Sequence, residues 1–402
     1  MKICHIVPWF PSAKPSTVES QQGVFEYRQV MNLNNRGHEF RVVSNRWEGQ
    51  SSYEKINGFE VYRIPYLVSR MGYPVPNFIE LTKRIRQIKN NWHPELMVYS
   101  HMEYLNALPS LYLSKEIPVV VATDFMVGIS HFYGNRIIDA IGYLHAMLIG
   151  KNIFKAADGI QFIGSELVEH IPRLGIDRNK VIVIPRGVDT ELFKPKKCNE
   201  LLRDELKIME DDIVVLYVGR LDYIKGMDYL LQSAKELIHY NKKVKFLIVG
   251  DGGLRGECNA LQRINPENII VLGFRNDVPE LMNAADIFVL PSLAEGAANA
   301  VMEASASGLP VITTSVGEIP RIILDGETGI LIEPRDSKGL VKALKRLVDN
   351  PAIRKRMGKQ ARSHVKKHYT WDIICERLEE FYFKVIREFN INVKQKKNRI
   401  RV

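Results

Sequence analysis

The 402-residue sequence contains no run of eighteen apolar residues, the simplest signature of a bilayer-spanning helix. Its first residues, MKICHIVPWF, lack the charged region, apolar core and small-residue cleavage site of a secretory leader, so a cytosolic location is expected. Cysteine is scarce. Cys4, Cys198, Cys258 and Cys375 are scattered with no paired spacing, which argues against a disulfide framework or a zinc site; Cys4 reads as a buried strand residue. No Asp-x-Asp pair occurs anywhere, so a metal clamp on a diphosphate finds no support. The G-x-G-x-x-G fingerprint is missing after the first strand, which disfavours a nicotinamide cofactor. Gly250-Asp-Gly-Gly253 looks like it, but its third glycine is misplaced and the segment reads as a tight turn.

What is present suits a soluble globular protein: 46% hydrophobic and 25% charged residues, on a chain long enough for two domains of nearly two hundred residues each. The formal net charge of +10 points to an anionic partner or a solvated basic surface. Between Lys384 and Val402 seven Lys or Arg stand against one Glu. Such a tail suits a disordered segment, or one that seeks nucleic acid or membrane.

One stretch organises the rest. Ile287 to Leu290 is a short apolar run ending in Pro-Ser, as where a buried parallel strand gives way to a loop. Asn299 to Ser307 reads as a helix stopped by Gly308 and Pro310, and Pro310 to Thr314 as the next strand. In open parallel sheets ligands bind beyond the carboxyl ends of the strands, so the loop Ser292 to Ala298 and the following helix start face a ligand crevice. Backbone amides there can receive phosphate oxygens, and Ala297, Ala298 and Ala300 are small enough to allow close approach. Glu295 and Glu303 bracket those amides, placed to accept hydrogen bonds from sugar hydroxyls. An isolated Glu at a helix start is more often a complement to the helix dipole.

This stretch resembles the donor-site signature of retaining glycosyltransferase family 4, a GT-B family, in which two glutamates are separated by seven residues. The resemblance implies two Rossmann-like α/β domains with parallel sheets facing across a cleft, and a last helix that crosses back to the first domain. It implies that Glu295 lies by the transferred sugar and that Glu303 binds ribose hydroxyls. Arg220 and Lys225 follow the strand Ile213 to Val218 as Gly-Arg, four residues, Lys-Gly, as in the family. There two cations converge on the diphosphate and stabilise the departing nucleotide. Asn299 and its neighbours Ala298 and Ala300 supply amides to it, and Arg275 opens a loop beside the base. The donor would be a UDP- or GDP-sugar, used as substrate with no cofactor, and the acceptor a glycan or lipid-linked hydroxyl. Two alternatives stand beside transfer: a nucleotide-sugar epimerase of the same architecture, and a non-catalytic lipid- or glycan-binding subunit.

In chain order, Lys2 to Val7 is a strand, Pro8 to Gly23 a Pro/Ser-rich loop, Val24 to Arg36 a helix and Phe40 to Val43 a strand, the opening of a parallel α/β domain. The family's first loop ends in Gly-Gly; here it is Gln22-Gly23, and Gly23 keeps the close backbone approach to substrate. Asn57 to Ile64 reads as an edge strand. The helix Ile79 to Asn91 is amphipathic and basic, a pattern shared by helices on anionic lipid and helices covering a sheet, and the second reading is preferred. The strands Leu96 to Tyr99 and Val119 to Ala122 deliver Ser100, His101, Thr123 and Asp124 to one sheet edge. The family often has a catalytic-site His where Asp124 stands, which makes Asp124 and His101 candidates for contact with sugar or acceptor. Arg136 to Lys155 is apolar and helical but too broken by Asp139 and His145 to span a bilayer. Arg186 adds charge where the family has Asn. The polar stretch Lys194 to Asp212 reads as a linker and connecting helix. The domains expected are 1–190, binding acceptor; 191–370, binding nucleotide sugar; and 371–402, a crossing helix anchored by Trp371 with a basic tail. Polysaccharide synthesis on the cytoplasmic face of a membrane fits this set; nucleic acid is not expected as a partner.

Overall fold

The computed structural model describes residues 1–12, 24–70, 73–101, 105–113, 116–124, 126–129, 136–197, 199–296 and 298–400. Gly23, Ala297 and Cys198 lie outside the described residues. The chain forms two compact units, Met1–Arg186 with Trp371–Val402, and Gly187–Thr370.

The first unit is built on an eight-stranded sheet. Its strands are β1 (Lys2–Ile6), β2 (Glu39–Asn45), β3 (Tyr53–Ile56) and β4 (Phe59–Ile64), then β7 (Leu96–Ser100), β8 (Val119–Thr123), β9 (Gly159–Phe162) and β10 (Val181–Val183), with a separate hairpin of β5 (Tyr66–Arg70) and β6 (Tyr73–Pro76). The order is β10-β9-β8-β7-β1-β2-β4-β3, parallel except for the antiparallel pair β3–β4. The strand expected at an edge is thus β4, covered on its outer side by β3.

Both faces of this sheet are covered, so its inner strands are continuous apolar runs, not alternating ones. On one face Cys4, Ile6, Met97, Tyr99, Val119 and Val121 pack with Leu81, Ile85 and Ile88 of the helix Phe78–Trp92. That helix therefore covers the sheet, as preferred from the sequence. On the other face Ile3, Val42, Leu96, Val98 and Val120 meet Trp371, Ile374, Cys375, Leu378, Phe381, Tyr382 and Val385. Burial pushes the Cys4 thiol up to about 12, so it is an inert apolar side chain.

Those last residues belong to the helix Trp371–Ile400, which returns the chain to the first unit with Trp371 buried at its start. A Cβ on Gly159 would lie 2.6 Å from Val385, so the helix approaches β9 as closely as glycine permits. Arg36 and His38, at the turn before β2, hold Glu379 through bonds of 2.7 to 3.0 Å. The basic tail is helical as far as Ile400, which corrects the disordered alternative for those residues.

The second unit has a six-stranded parallel sheet: β11 (Ile213–Val218), β12 (Val244–Val249), β13 (Ile269–Gly273), β14 (Ile287–Leu290), β15 (Val311–Thr314) and β16 (Gly329–Ile332), in the order β13-β12-β11-β14-β15-β16. The expected linker is instead part of this unit: the helix Glu200–Glu205 lies within it, and Leu202, Leu206 and Ile208 join its core. Residues Arg136–Ala156 form one helical stretch that passes for a membrane span by length and composition, contrary to the expectation that it is too broken. Its inner side nonetheless packs on the first sheet through Ala146, Ile153 and Phe154.

Candidate active site

Each sheet has one place where the chain's direction of travel across the strands reverses, and ligands bind at the carboxyl ends of the two strands that flank it. In the second unit these strands are β11 and β14. The segment after β11 carries Arg220 and Lys225; the loop after β14 carries Ser292 and Glu295. Of the sequence-predicted pair from one strand, Lys225 meets the acid from the other. Lys225 Nζ donates to Glu295 Oε1 at 2.7 Å, and Ser292 Oγ donates to the same oxygen at 2.6 Å. The Glu295 side chain is only 6% exposed and that of Lys225 22%. Such a bond between charged partners is among the stronger single interactions in a protein.

Two glycines let the loops come this close. Gly226, the residue before the helix Met227–Tyr240, has φ 71°, and a Cβ there would fall 1.8 Å from the Pro291 carbonyl oxygen. Gly317, at φ 56°, would place one 1.9 Å from the Glu295 carbonyl oxygen. Only glycine fits either position without displacing the loop that holds Glu295. The Leu293 amide also donates to the Ile224 carbonyl at 2.7 Å, tying the two segments by backbone.

Arg220 is placed differently. Its side chain is 64% exposed and pairs with Asp222 at 3.1 Å, while Asp222 also accepts from the Lys225 amide at 2.9 Å. Tyr217 donates its hydroxyl to the Arg220 carbonyl at 2.7 Å, and burial raises that phenol well above its ordinary range, keeping it a donor. The result is one open cation beside one engaged cation, a suitable arrangement for receiving phosphate oxygens.

The helix Asn299–Ala306 follows the Glu295 loop as expected. Ala298 precedes it in the left-handed conformation, φ 42°, which strains any residue with a Cβ and is a mark of functional loops. Asn299 Oδ1 is buried with no hydrogen-bond partner. Asn299 and Glu303 are four apart and share a helix face, and Ala300 packs against the core. Arg275 does not join this group. It follows β13 at the sheet edge, and its guanidinium is held by Asp277 at 2.6 and 2.7 Å and by Glu205 at 2.9 Å. In this structure Arg275 thus clamps these two carboxylates.

In the first unit the reversal falls between β1 and β7. His101, expected here, donates from Nε2 to Glu26 Oε1 at 2.8 Å, and Asp124 is held by Arg186. Arg186 also reaches Glu26 at 3.3 Å and lies 4.7 Å over the Phe25 ring. Burial alone would push the Glu26 carboxyl up, but the Arg186 and His101 charges outweigh it and hold it well below the carboxylate range. Beneath them His5 pairs with Ser100 at 2.8 Å, and burial, followed by smaller opposing effects of Glu26 and His101, lowers His5 to about 4. A cavity of about 20 Å³ among Glu26, Ser100, His101, Asp124 and Arg186 has room for roughly one water molecule.

Sequence reasoning misses Glu26 and His5. Glu26 stands in the first turn of its helix, where an acid ordinarily complements the dipole, and His5 sits inside an apolar strand; a polar residue in a strand buried on both faces is the signal that was there to find.

Comparison with known proteins bears on both units. The Glycosyltransferase Family 4 model matches residues 23–192, and the Glycosyl transferases group 1 model matches residues 199–364. UDP-Gal:alpha-D-GlcNAc-diphosphoundecaprenol alpha-1,3-galactosyltransferase of Escherichia coli is 32% identical over 222 residues, which are 54% of this chain and 57% of that protein. The chain spans a little over half the length of the first curated relatives it matches. Among solved structures, sucrose-phosphate synthase from Thermosynechococcus elongatus superposes with a TM-score of 0.77 at 18% identity, covering 96% of this chain and 99% of that one. Anabaena HepE in complex with UDP gives 0.70 at 18% identity, covering 94% and 99%. At such identities the likeness is one of fold.

Proposed function

Because the chain belongs to glycosyltransferase family 4 and has the GT-B fold, we propose that it moves a sugar, with retention, from a nucleotide-sugar donor to a hydroxyl of a glycan or lipid-linked acceptor. The observation that carries this reading is the meeting of Lys225, Ser292 and Glu295 at the reversal point of the second sheet, with Arg220 open beside them. Arg220, Lys225 and the amides from Asn299 onward neutralise the diphosphate, so the leaving group departs without a metal ion, consistent with the lack of an Asp-x-Asp pair. Glu303 holds the ribose hydroxyls and Glu295 orients the sugar and stabilises its developing positive charge. The acceptor oxygen bonds to the anomeric carbon on the face from which the phosphate leaves. The bond to the phosphate oxygen breaks, and that oxygen takes the acceptor's proton. His101 and Asp124, in the first unit, contact acceptor or sugar.

The nature of the substrates has support of the same kind. HepE is solved in complex with UDP, and the Escherichia coli relative is named for UDP-galactose and a diphosphoundecaprenol-linked acceptor. For this chain we propose a hexosyl UDP-sugar as donor, with a GDP-sugar as the competing one, and a cytoplasmic location at a membrane surface. A thermal-shift panel of UDP-, GDP- and ADP-sugars tests the donor, since a ligand of the folded state raises the melting temperature. NMR of the product made in the presence of EDTA then reads both retention and metal independence. Turnover of the donor without acceptor would replace transfer with epimerisation, and no shift with any sugar nucleotide would refute the site.

A further inference from the structure

A helix that covers a sheet turns its apolar side inward and its charges outward. The stretch Arg136–Ala156 departs from this. Ile137, Ile141, Leu144 and Leu148 are 71%, 65%, 58% and 62% exposed, and their intervals of four, three and four residues place them in one stripe. Only 22% of the stretch's most apolar window is buried. A π turn, Ala146–Gly150, interrupts it. The extra residue shifts the phase of the helix, and beyond it Ile153 and Phe154 enter the core, so the stretch is pinned to the sheet at its far end.

Charge brackets the stripe. Arg136 is exposed at its start, and Lys151 and Lys155 are exposed at its end; among the described residues none of the three forms an ion pair. The acid of this stretch, Asp139, is two positions from Ile137 and so points to another side of the helix. The helix Phe78–Trp92, on the same face of the sheet, exposes Lys83 and Arg86 as well. We propose that the exposed face of Arg136–Ala156 docks the first unit on an anionic lipid bilayer, with the four aliphatic side chains among the acyl chains and the cations at the headgroups.

Two other occupants fit less well. A second copy of this face would set Arg136 against Arg136 in parallel pairing, or against Lys151 and Lys155 in antiparallel pairing, with no acid on the stripe to offset either. A membrane crossing would strip Ala146, Ile153 and Phe154 from the core they share with β7 and β8. The docking face rests on the membrane location proposed above and is independent of the sugar chemistry.

Cosedimentation of the full chain with phosphatidylcholine vesicles, with and without phosphatidylglycerol, tests it. The protein should pellet with the anionic vesicles. Ile141→Gln/Leu144→Gln/Leu148→Gln should keep the melting temperature, because these side chains touch solvent, and should lower the partition coefficient about a hundredfold. Lys151→Glu/Lys155→Glu should remove about tenfold or more of the preference for phosphatidylglycerol. Wild-type binding by the triple variant, with loss instead in Phe383→Gln/Ile391→Gln on the last helix, would overturn this face while leaving the membrane location standing. No pelleting of the wild type with either vesicle would overturn both. A dimer that the triple variant dissolves, without vesicle binding, would assign the stripe to a second copy.

Discussion

Arg220 and Lys225 leave the same strand end, but the structure gives them different mechanical importance, and that difference can be measured. Lys225→Met keeps the length of the side chain and removes the charge from beside Glu295, whose carboxylate is nearly buried. Removing one partner of a buried pair costs about 3–5 kcal/mol. Here Lys225 is partly exposed and Ser292 still donates to the same oxygen, so about 2 kcal/mol is expected. Arg220 sits in solvent with Asp222, and such a pair is worth about 0–1 kcal/mol. Arg220→Ala should therefore leave stability within about 0.5 kcal/mol of wild type. On the proposed function both variants would lose a charged hydrogen bond to a diphosphate, worth about 1.5–3 kcal/mol, so the dissociation constant for UDP should rise about tenfold to a hundredfold in each. Urea unfolding gives the first quantity and titration calorimetry the second. Adding Glu295→Gln closes a double-mutant cycle with Lys225→Met, in which a coupling of about 2 kcal/mol is expected. Equal stability losses in the two single variants, or a cycle additive to within about 0.5 kcal/mol, would refute the assignment of Lys225 as the structural member.

His5 has a folded pKa of about 4 against an ordinary 6.5. Its neutral ring therefore contributes stability that is whole above pH 6.5 and drains as pH falls toward 4, at about 1.4 kcal/mol per pH unit; His5→Asn should flatten that slope in urea midpoints, and parallel curves would refute it. The Glu26 carboxyl is held below its ordinary 4.5. Its contribution is present above that value and lost as pH falls through the lowered one, so acid unfolding of Glu26→Gln should show a shallower limb below pH 4.5, and coincident limbs would count against the cluster. Gly226→Ala meets both a positive φ and the Pro291 carbonyl, whereas Gly326→Ala, at φ 75°, meets nothing within 4 Å. The first should cost about 3 kcal/mol or more and the second about 1 kcal/mol, and equal melting temperatures would show that the close loop contact is absent.

The second unit is the more legible in sequence because its site is local. Glu295, Asn299 and Glu303 lie within nine residues of one strand-loop-helix turn, and the same turn chemistry that ends β14 and starts the helix marks the ligand position. Arg220 and Lys225 are likewise anchored to the end of an apolar strand. Whether the loop after a parallel strand lies at the sheet edge, as that of Arg275 does, or at its centre depends on strand order, which rests on long-range pairing. In the first unit the site is assembled from β1, β7, β8, the first helix and Arg186, five separated segments whose pairing no local pattern encodes. His101 and Asp124 can be suspected from their strand ends. That His101 answers to Glu26 and Asp124 to Arg186 is a property of the fold. Helix extent fails for a related reason: the last helix continues to Ile400 on tail residues that have no apolar period of their own.

The charges at the two reversal points explain why the second unit is the better first home for an anion. In the first unit the charges around this point are matched to one another, Glu26 to His101 and Arg186, and Arg186 also to Asp124, in a space that holds roughly one water. A ligand phosphate there would have to take Arg186 from two carboxylates and leave them unneutralised, a cost of the kind that makes broken buried pairs expensive. A neutral hydroxyl would not, because it can donate to Asp124 or Glu26 while the arginine stays in place. In the second unit Glu295 absorbs the charge of Lys225, and Arg220 remains largely in water beside the half-buried Asp222. Binding there exchanges one weak surface pair for bonds to a doubly charged group, and the freed Asp222 still receives the Lys225 amide. On the proposed function, a phosphate is thus better received in the half of the molecule with the exposed guanidinium, and a hydroxyl in the half whose ions are closed on one another.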